Sequence, residues 1–178
     1  MIIPSPYWVS YPEIVSLCNG KPIILETSFN NEFKIRADEL ESNISQKTKW
    51  LIINSPCNPT GSVYSENELK KISEVILKFP NLHILSDDIY EHITYGKCKF
   101  INILNVEPSL KDRTFIVNGV SKVFSMTGWR IGYGAGDSEI IKSIAKIQSQ
   151  STTNPCSISQ MAAKYAIENK KKFLKDWL

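Results

Sequence analysis

The sequence predicts an α/β protein in three layers, a mostly parallel sheet with helices on both faces. Three observations carry that expectation. Short apolar, often β-branched runs recur along the chain, too short for helices and several ending in polar residues, as strands buried on both faces do. Amphipathic segments of helical period lie between some of them. Strands alternating with helices imply right-handed crossovers and hence parallel neighbours. With 178 residues, 42% of them hydrophobic, the chain is long enough to bury roughly 70% of its unfolded surface in one core.

The runs are 22–26, 49–54, 82–86, 114–117 and 130–135, each bounded by polar or turn-forming residues. Between the second and third lies SENELKKISEVILKF, where Ser65 and Glu68 form a capping box and Leu69, Ile72, Ile76 and Phe79 repeat at helical spacing. A second helix is expected over 137–150, with Ile140, Ile141, Ile144 and Ile147 on one stripe. The lysine run at 170–172 reads as a solvated helix face.

Composition excludes several functions. The net charge of +3 comes from 21 basic and 18 acidic residues without a basic stripe, so there is no nucleic-acid footprint. Cys18, Cys57, Cys98 and Cys156 are too dispersed for a zinc or redox pair, and His83 and His92 do not complete a metal set with them. The N-terminus lacks a basic, apolar leader, and no apolar run approaches the roughly 18 residues of a membrane span, so a cytoplasmic protein is expected. The chain opens directly into IIPSPYW and stops at KKFLKDWL, which suggests a fragment. No linker or repeat divides it.

Open α/β sheets bind ligands at the carboxyl ends of their strands, and polar residues cluster after three of these runs, at 54–61, 87–90 and 118–122. If the strands are neighbours, an asparagine, an aspartate, a tyrosine and a lysine converge on one cleft. The segments SPCNPTGSVYS, LSDDIYEHITY, VNGVSKVFSMTGWRIGYGAG and SQSTTNPCSISQ, taken in order and spacing, resemble the aspartate aminotransferase family. The match is to its class I, subgroup Ib branch of pyridoxal-phosphate (PLP) enzymes of fold type I. The likeness covers essentially the whole chain, which is similar to the middle of such an enzyme. Residues 1–178 would be the central part of the PLP-binding large domain, without the preceding strand and glycine-rich loop and without the C-terminal small domain.

That resemblance implies roles residue by residue. Lys122 supplies the primary amine that holds the cofactor as an imine, a task that needs a partly deprotonated nucleophile. Asp87, in SDDIY, faces the pyridine nitrogen and favours its protonation; Asp88 should point to the other side if the strand continues that far. Tyr90 and Asn58 hydrogen-bond the phenolic oxygen, and Pro59 and Gly61 make the turn that carries Asn58. Arg130, one of three arginines with Arg36 and Arg113, offers a guanidinium fork to the phosphate. Trp8 stacks on the ring. Ser121 adds a hydroxyl to the phosphate; many relatives place a serine three residues before the lysine, where this chain has Gly119. Thr153 and Asn154 match a segment lying near the partner's site in the family's homodimers.

By the same resemblance the chemistry is transamination between an amino acid and a 2-oxo acid, of the aspartate:2-oxoglutarate type. A truncated, inactive remnant, a prephenate aminotransferase or a C–S lyase of the same fold are the alternatives. IGYGAGDSE lacks the third glycine of a dinucleotide loop, because Asp137 stands there.

Overall fold

A computed structural model describes residues 1–177; Leu178, the last residue of the run that prompted the fragment reading, lies outside the described residues. The chain folds as β1 (Ile2–Ser5), α1 (Ser10–Leu17), β2 (Ile23–Glu26), α2 (Ala37–Asn43), β3 (Trp50–Asn54), α3 (Glu66–Leu77), β4 (His83–Asp87), α4 (Ile103–Val106), β5 (Thr114–Gly119), β6 (Gly132–Ala135), α5 (Ser138–Ser149), α6 (Ser157–Glu168) and α7 (Lys170–Trp177). The strands form one sheet in the order β2-β1-β3-β4-β5-β6. The pairs from β2 through β5 are parallel. Only β6 runs antiparallel, beside β5.

Period-two alternation divides the sheet's side chains between two cores. On one face Ile2, Leu25, Leu51, Ile53 and Ile84 pack with Leu40 of α2, the buried stripe of α3 and Ile103 of α4. The α3 helix forms as its sequence directs. The Ser65 hydroxyl accepts from the Glu68 amide and the Ser65 amide donates to the Glu68 carboxylate, while Leu69, Ile72, Val75 and Ile76 are buried. On the opposite face Ile3 and Ile52 meet Tyr11 and Val15 of α1. Helices thus lie on both faces, but the second layer is thin. The strand β6 is exposed along its length, and Ile141, Ile144 and Ile147 of α5 turn outward.

Two elements depart from the sequence expectation. The β1 strand hides behind Pro4, a residue that argues against an interior strand because it has no amide proton for the ladder. The sheet accommodates it by pairing β1 with β3 only at Ile2 and Leu51. The last strand begins at Gly132 rather than at residue 130, because Arg130 closes a 3-10 turn, Thr127–Trp129, in the left-handed region with φ 56°. Both glycines of IGYGAG that suggested a phosphate loop, Gly132 and Gly134, are β6 residues paired with β5. The lysines at 170–172 begin α7 and are exposed, as expected of a solvated face.

Candidate active site

The register of the central strands assembles the site. Asn54 of β3 is paired with Asp87 of β4, and Asp87 with Val117 of β5, so three strand ends lie side by side at the roughly 4.8 Å spacing of a sheet. The loops that leave these ends, with the one that leaves β1, enclose a cavity of about 310 Å³. Trp8, Asn58, Asp87, Tyr90, Ser121, Lys122 and Arg130, scattered over 123 positions of sequence, all line it.

Asp87 ends β4 with its carboxylate in the cavity. Its Oδ2 accepts from the Tyr11 hydroxyl at 2.5 Å and its Oδ1 from the Ile89 amide at 3.2 Å. Burial pushes this carboxyl above the ordinary range, against the two hydrogen bonds that favour the anion. Burial and then the Asp87 charge push the Tyr11 phenol strongly upward, so that it remains a neutral donor. Asp88, one residue beyond the end of β4, points to the other side. It is 5% exposed and bonded to Ser86 and Asn102.

Asn54 ties the neighbouring loop to this strand end. Its amide donates to the Asp87 carbonyl at 3.0 Å, and its Oδ1 accepts from the Asn58 amide proton at 2.8 Å. Asn58 is thereby fixed at the cavity edge. Gly61, at φ +72°, completes the turn with the positive φ that a glycine adopts without a steric cost. Trp8 is 43% exposed and stands edge-on to Tyr11, with ring centroids 5.4 Å apart. It is therefore not a core tryptophan, and it lines the cavity.

Lys122 follows β5 and is exposed, with Nζ 5.7 Å from the centroid of the Tyr90 ring. The two groups that the resemblance assigns to the aldehyde end and the phenolic oxygen are therefore adjacent. Arg130 donates to the Thr127 carbonyl at 2.9 Å and has no carboxylate partner among the described residues. Arg36 is paired with Asp38, and Arg113 donates to the Phe79 and Leu82 carbonyls. Arg130 is thus the arginine whose fork is available to an anion in the cleft. Ser121 lines the same cavity. At Gly119 an added Cβ would lie 2.9 Å from the Ile131 carbonyl and 3.2 Å from the Gly132 Cα, so a phosphate-binding serine at this position has no room in this backbone.

Tyr11, Asn54 and Asn118 are among the further residues of the cavity that received no site role from the sequence. Tyr11 stands three residues after Trp8, a spacing that sets both on one side of a helical turn without naming a partner. Thr153 and Asn154 are exposed and do not line the cavity.

One amine, one carboxylate, one free guanidinium, a phenol, an amide and an aromatic face thus surround a single cavity at the carboxyl edge of a parallel sheet. This donor set matches an aldehyde, a basic ring nitrogen, a phosphate and a flat ring, and so fits PLP. The fold and cleft are those of a PLP-dependent transferase. The model of the family described as aminotransferase class I and II matches residues 1–177, and the chain belongs to that family.

The chain is 55% identical over 175 residues to a probable aspartate/prephenate aminotransferase of Rickettsia typhi, covering 98% of this chain and 44% of that protein. It is 52% identical over 167 residues to the aspartate/prephenate aminotransferase of Nitrosomonas europaea, covering 94% and 42%. Among solved structures, the aspartate aminotransferase of Rhizobium meliloti superposes with a TM-score of 0.95 at 46% identity, over 98% of this chain and 44% of that one. That of Thermus thermophilus with maleate gives 0.91 at 38%, over 99% and 44%. The chain therefore spans less than half the length of these relatives. No helix among the described residues is long and apolar enough to cross a membrane.

Proposed function

We propose that residues 1–178 form the central part of the PLP-binding domain of an aminotransferase that exchanges an amino group between an amino acid and a 2-oxo acid, of the aspartate:2-oxoglutarate type. The observation that carries this reading is the convergence of Lys122, Asp87 and Arg130 on one cavity. When bound, PLP supplies an electron-withdrawing ring that stabilises negative charge at the substrate Cα.

The chain's own residues do the rest. The Lys122 amine would hold the cofactor through its aldehyde carbon and, when not so engaged, would be the base placed to carry a proton between the substrate Cα and the cofactor carbon it had held. The Asp87 carboxylate faces the ring nitrogen and favours its protonated form. Arg130 and Ser121 hold the phosphate, Tyr90 and Asn58 donate to the phenolic oxygen, and Trp8 covers one face of the ring. The full protein acts as a cytoplasmic homodimer in this reading, which the outward apolar faces of α5 and α6 support. A prephenate aminotransferase is a second reading, favoured by the names of the Rickettsia typhi and Nitrosomonas europaea relatives.

The test has two parts. Borohydride reduction of the chain with PLP, followed by peptide mapping, should place the label on Lys122. The whole protein that carries this chain should then transfer the amino group of aspartate to 2-oxoglutarate, and comparison with prephenate as acceptor separates the two readings. A label spread over several lysines, or no transfer to either acceptor, would overturn the proposal.

A further inference from the structure

The cavity holds a phenol that none of the roles above employs. Tyr11 is 7% exposed, belongs to α1 and reaches across the sheet to a residue 76 positions away. Its ring is held from two sides. Ile3 and Ile52 form the small core beneath it, and Trp8 meets it edge-on at an interplanar angle of 89°. A phenol has one hydroxyl proton, which lies near the ring plane, so a fixed ring leaves few directions in which to donate. Here the acceptor is Asp87 Oδ2.

The Asp87 carboxylate needs such a restraint. Rotation about the terminal bond of an aspartate is broad and roughly two-fold, so the backbone alone does not set its plane. The Ile89 amide holds Oδ1, and Tyr11 is the side chain that holds Oδ2. The geometry points to Tyr11 as the positioning residue of Asp87: the turn that leads into α1, closed by the Tyr11 amide donating to the Trp8 carbonyl, sets the aromatic wall of the cleft through Trp8 and the plane of the acid through Tyr11. This inference rests on the reading of the cleft as a PLP site, in which Asp87 faces the ring nitrogen.

Neutrality of the donor matters as much as its direction. A cationic partner at this point would neutralise the carboxylate and weaken its pull on a protonated ring nitrogen, whereas a phenol orients the anion and leaves its charge intact. The ionisable groups around Asp87 are consistent with that division. Tyr90, Lys122 and Arg130 share its cavity, Cys57 lies near Tyr11, and Asp88 faces away. Among the described residues no lysine, arginine or histidine is bonded to the carboxylate.

The experiment is a double-mutant cycle on the 178-residue chain with wild type, Tyr11→Phe, Asp87→Asn and the double variant. PLP affinity is read by quenching of tryptophan emission, and the Asp87 carboxyl titration by carbon NMR in the ligand-free chain. Phenylalanine keeps the ring that packs on Trp8 and removes only the hydroxyl. Tyr11→Phe should weaken PLP binding about 5–20-fold, less than the roughly 12–160-fold equivalent of a whole hydrogen bond to a charged group, because the bond to Asp87 is already made without cofactor. It should also move the Asp87 titration upward, because a bond favouring the anion is gone.

In the Asp87→Asn background the same change should alter affinity by less than about twofold, since a residue that acts through Asp87 has nothing left to act on. An equal loss in both backgrounds, or an unmoved Asp87 titration in Tyr11→Phe, would overturn the inference. If Asp87→Asn binds PLP as tightly as wild type, the assignment of Asp87 to the ring nitrogen fails instead, and the ligand-free titration still judges Tyr11. Should Tyr11→Phe not fold, the wild-type chain decides. The buried Tyr11 hydroxyl proton should be visible by proton NMR and should shift in Asp87→Asn; an insensitive or solvent-averaged signal refutes the contact.

Discussion

Asp88→Asn should make the protein more stable at neutral pH while leaving it unchanged in acid. Asp88 is 5% exposed and sits behind the site, its Oδ1 accepting from the Ser86 hydroxyl at 2.7 Å and its Oδ2 from the Asn102 amide at 2.6 Å. Those bonds favour the anion but do not match the hydration it loses. Burial, helped by the charges of Glu91 and Asp87, pushes the carboxyl from 3.8 up to about 6. A folded-state value above the unfolded one means that the native protein binds its proton more tightly. The associated stability is fully present below 3.8 and is lost as pH rises through about 6. The interval corresponds to about 3 kcal/mol, an upper bound for the penalty of keeping this charge inside at pH 7.5.

Asparagine removes the charge and keeps the shape. Its carbonyl can accept from Asn102 and its amide can donate to the Ser86 oxygen, while the Ser86 hydroxyl proton gives up its bond to residue 88; that exchange is independent of pH and does not enter the pH-dependent difference. Urea unfolding followed by circular dichroism between pH 3.5 and 8 measures the effect as a difference between variant and wild type. Using the difference removes the contribution of His83, whose folded value is depressed by burial and by Arg113 and Lys49. That histidine destabilises both proteins as pH falls. The advantage of Asp88→Asn should grow toward neutral pH by up to about 3 kcal/mol; a pH-independent difference, or one that grows toward acid, would refute the reasoning.

Other expectations concern the cleft more directly. Lys122→Ala should retain reversible PLP binding but give no borohydride-fixed label, and full labelling of the variant would rule out this lysine. Arg130→Ala should weaken PLP affinity by about 10–100-fold, the range expected for charge-assisted bonds to a phosphate, as read by equilibrium titration. In the whole protein, Asp87→Asn should lower turnover by orders of magnitude, and near-normal rates would sink its assigned role. Gly119→Ser should cost about 1–3 kcal/mol in a urea titration, since the new Cβ meets backbone on the adjoining chain.

The parts legible in the sequence share one property: their cause is local or periodic. The strands β3, β4 and β5 stand out because burial on both faces demands continuous apolar runs, and α3 announces itself through Ser65 and Glu68. Lys122, Asp87 and Arg130 came from motifs whose spacing resembles a known family. What stayed hidden depends on tertiary partners. Pro4 masks β1, because nothing near it in sequence reveals that its ladder with β3 ends at Ile2. Tyr11 reads as one more residue of an amphipathic turn until Asp87, 76 positions on, is placed opposite its hydroxyl. The outward face of α5 reads as core because periodicity reports that a surface is apolar and not what covers it.

The eight-residue step from Lys122 to Arg130 follows from the way β5 returns as β6. Gly119 and Gly132 are paired across the antiparallel ladder, and the absence of a Cβ at Gly119 lets the Ile131 carbonyl approach to a distance that no other residue would tolerate. Residues 120–131 are therefore a closed loop with a pinched base. Val120 and Ile131, buried beside that base, pack with Phe124, Met126 and Ala163 of α6 and anchor the loop from below. Lys122 lies three residues after one side of the base and Arg130 two residues before the other, so both are carried at the neck of the loop, above the end of β5. The chain must then reverse sharply to enter β6, and it does so at Arg130 itself, with φ 56° and ψ 46°. A non-glycine residue there costs on the order of 1 kcal/mol, which the buried anchors can offset. Relieving that conformation with Arg130→Gly would ease the backbone and remove the guanidinium together. Geometry thus ties the amine and the phosphate-binding arginine to one pinched loop, and the distance between them is set by its closure.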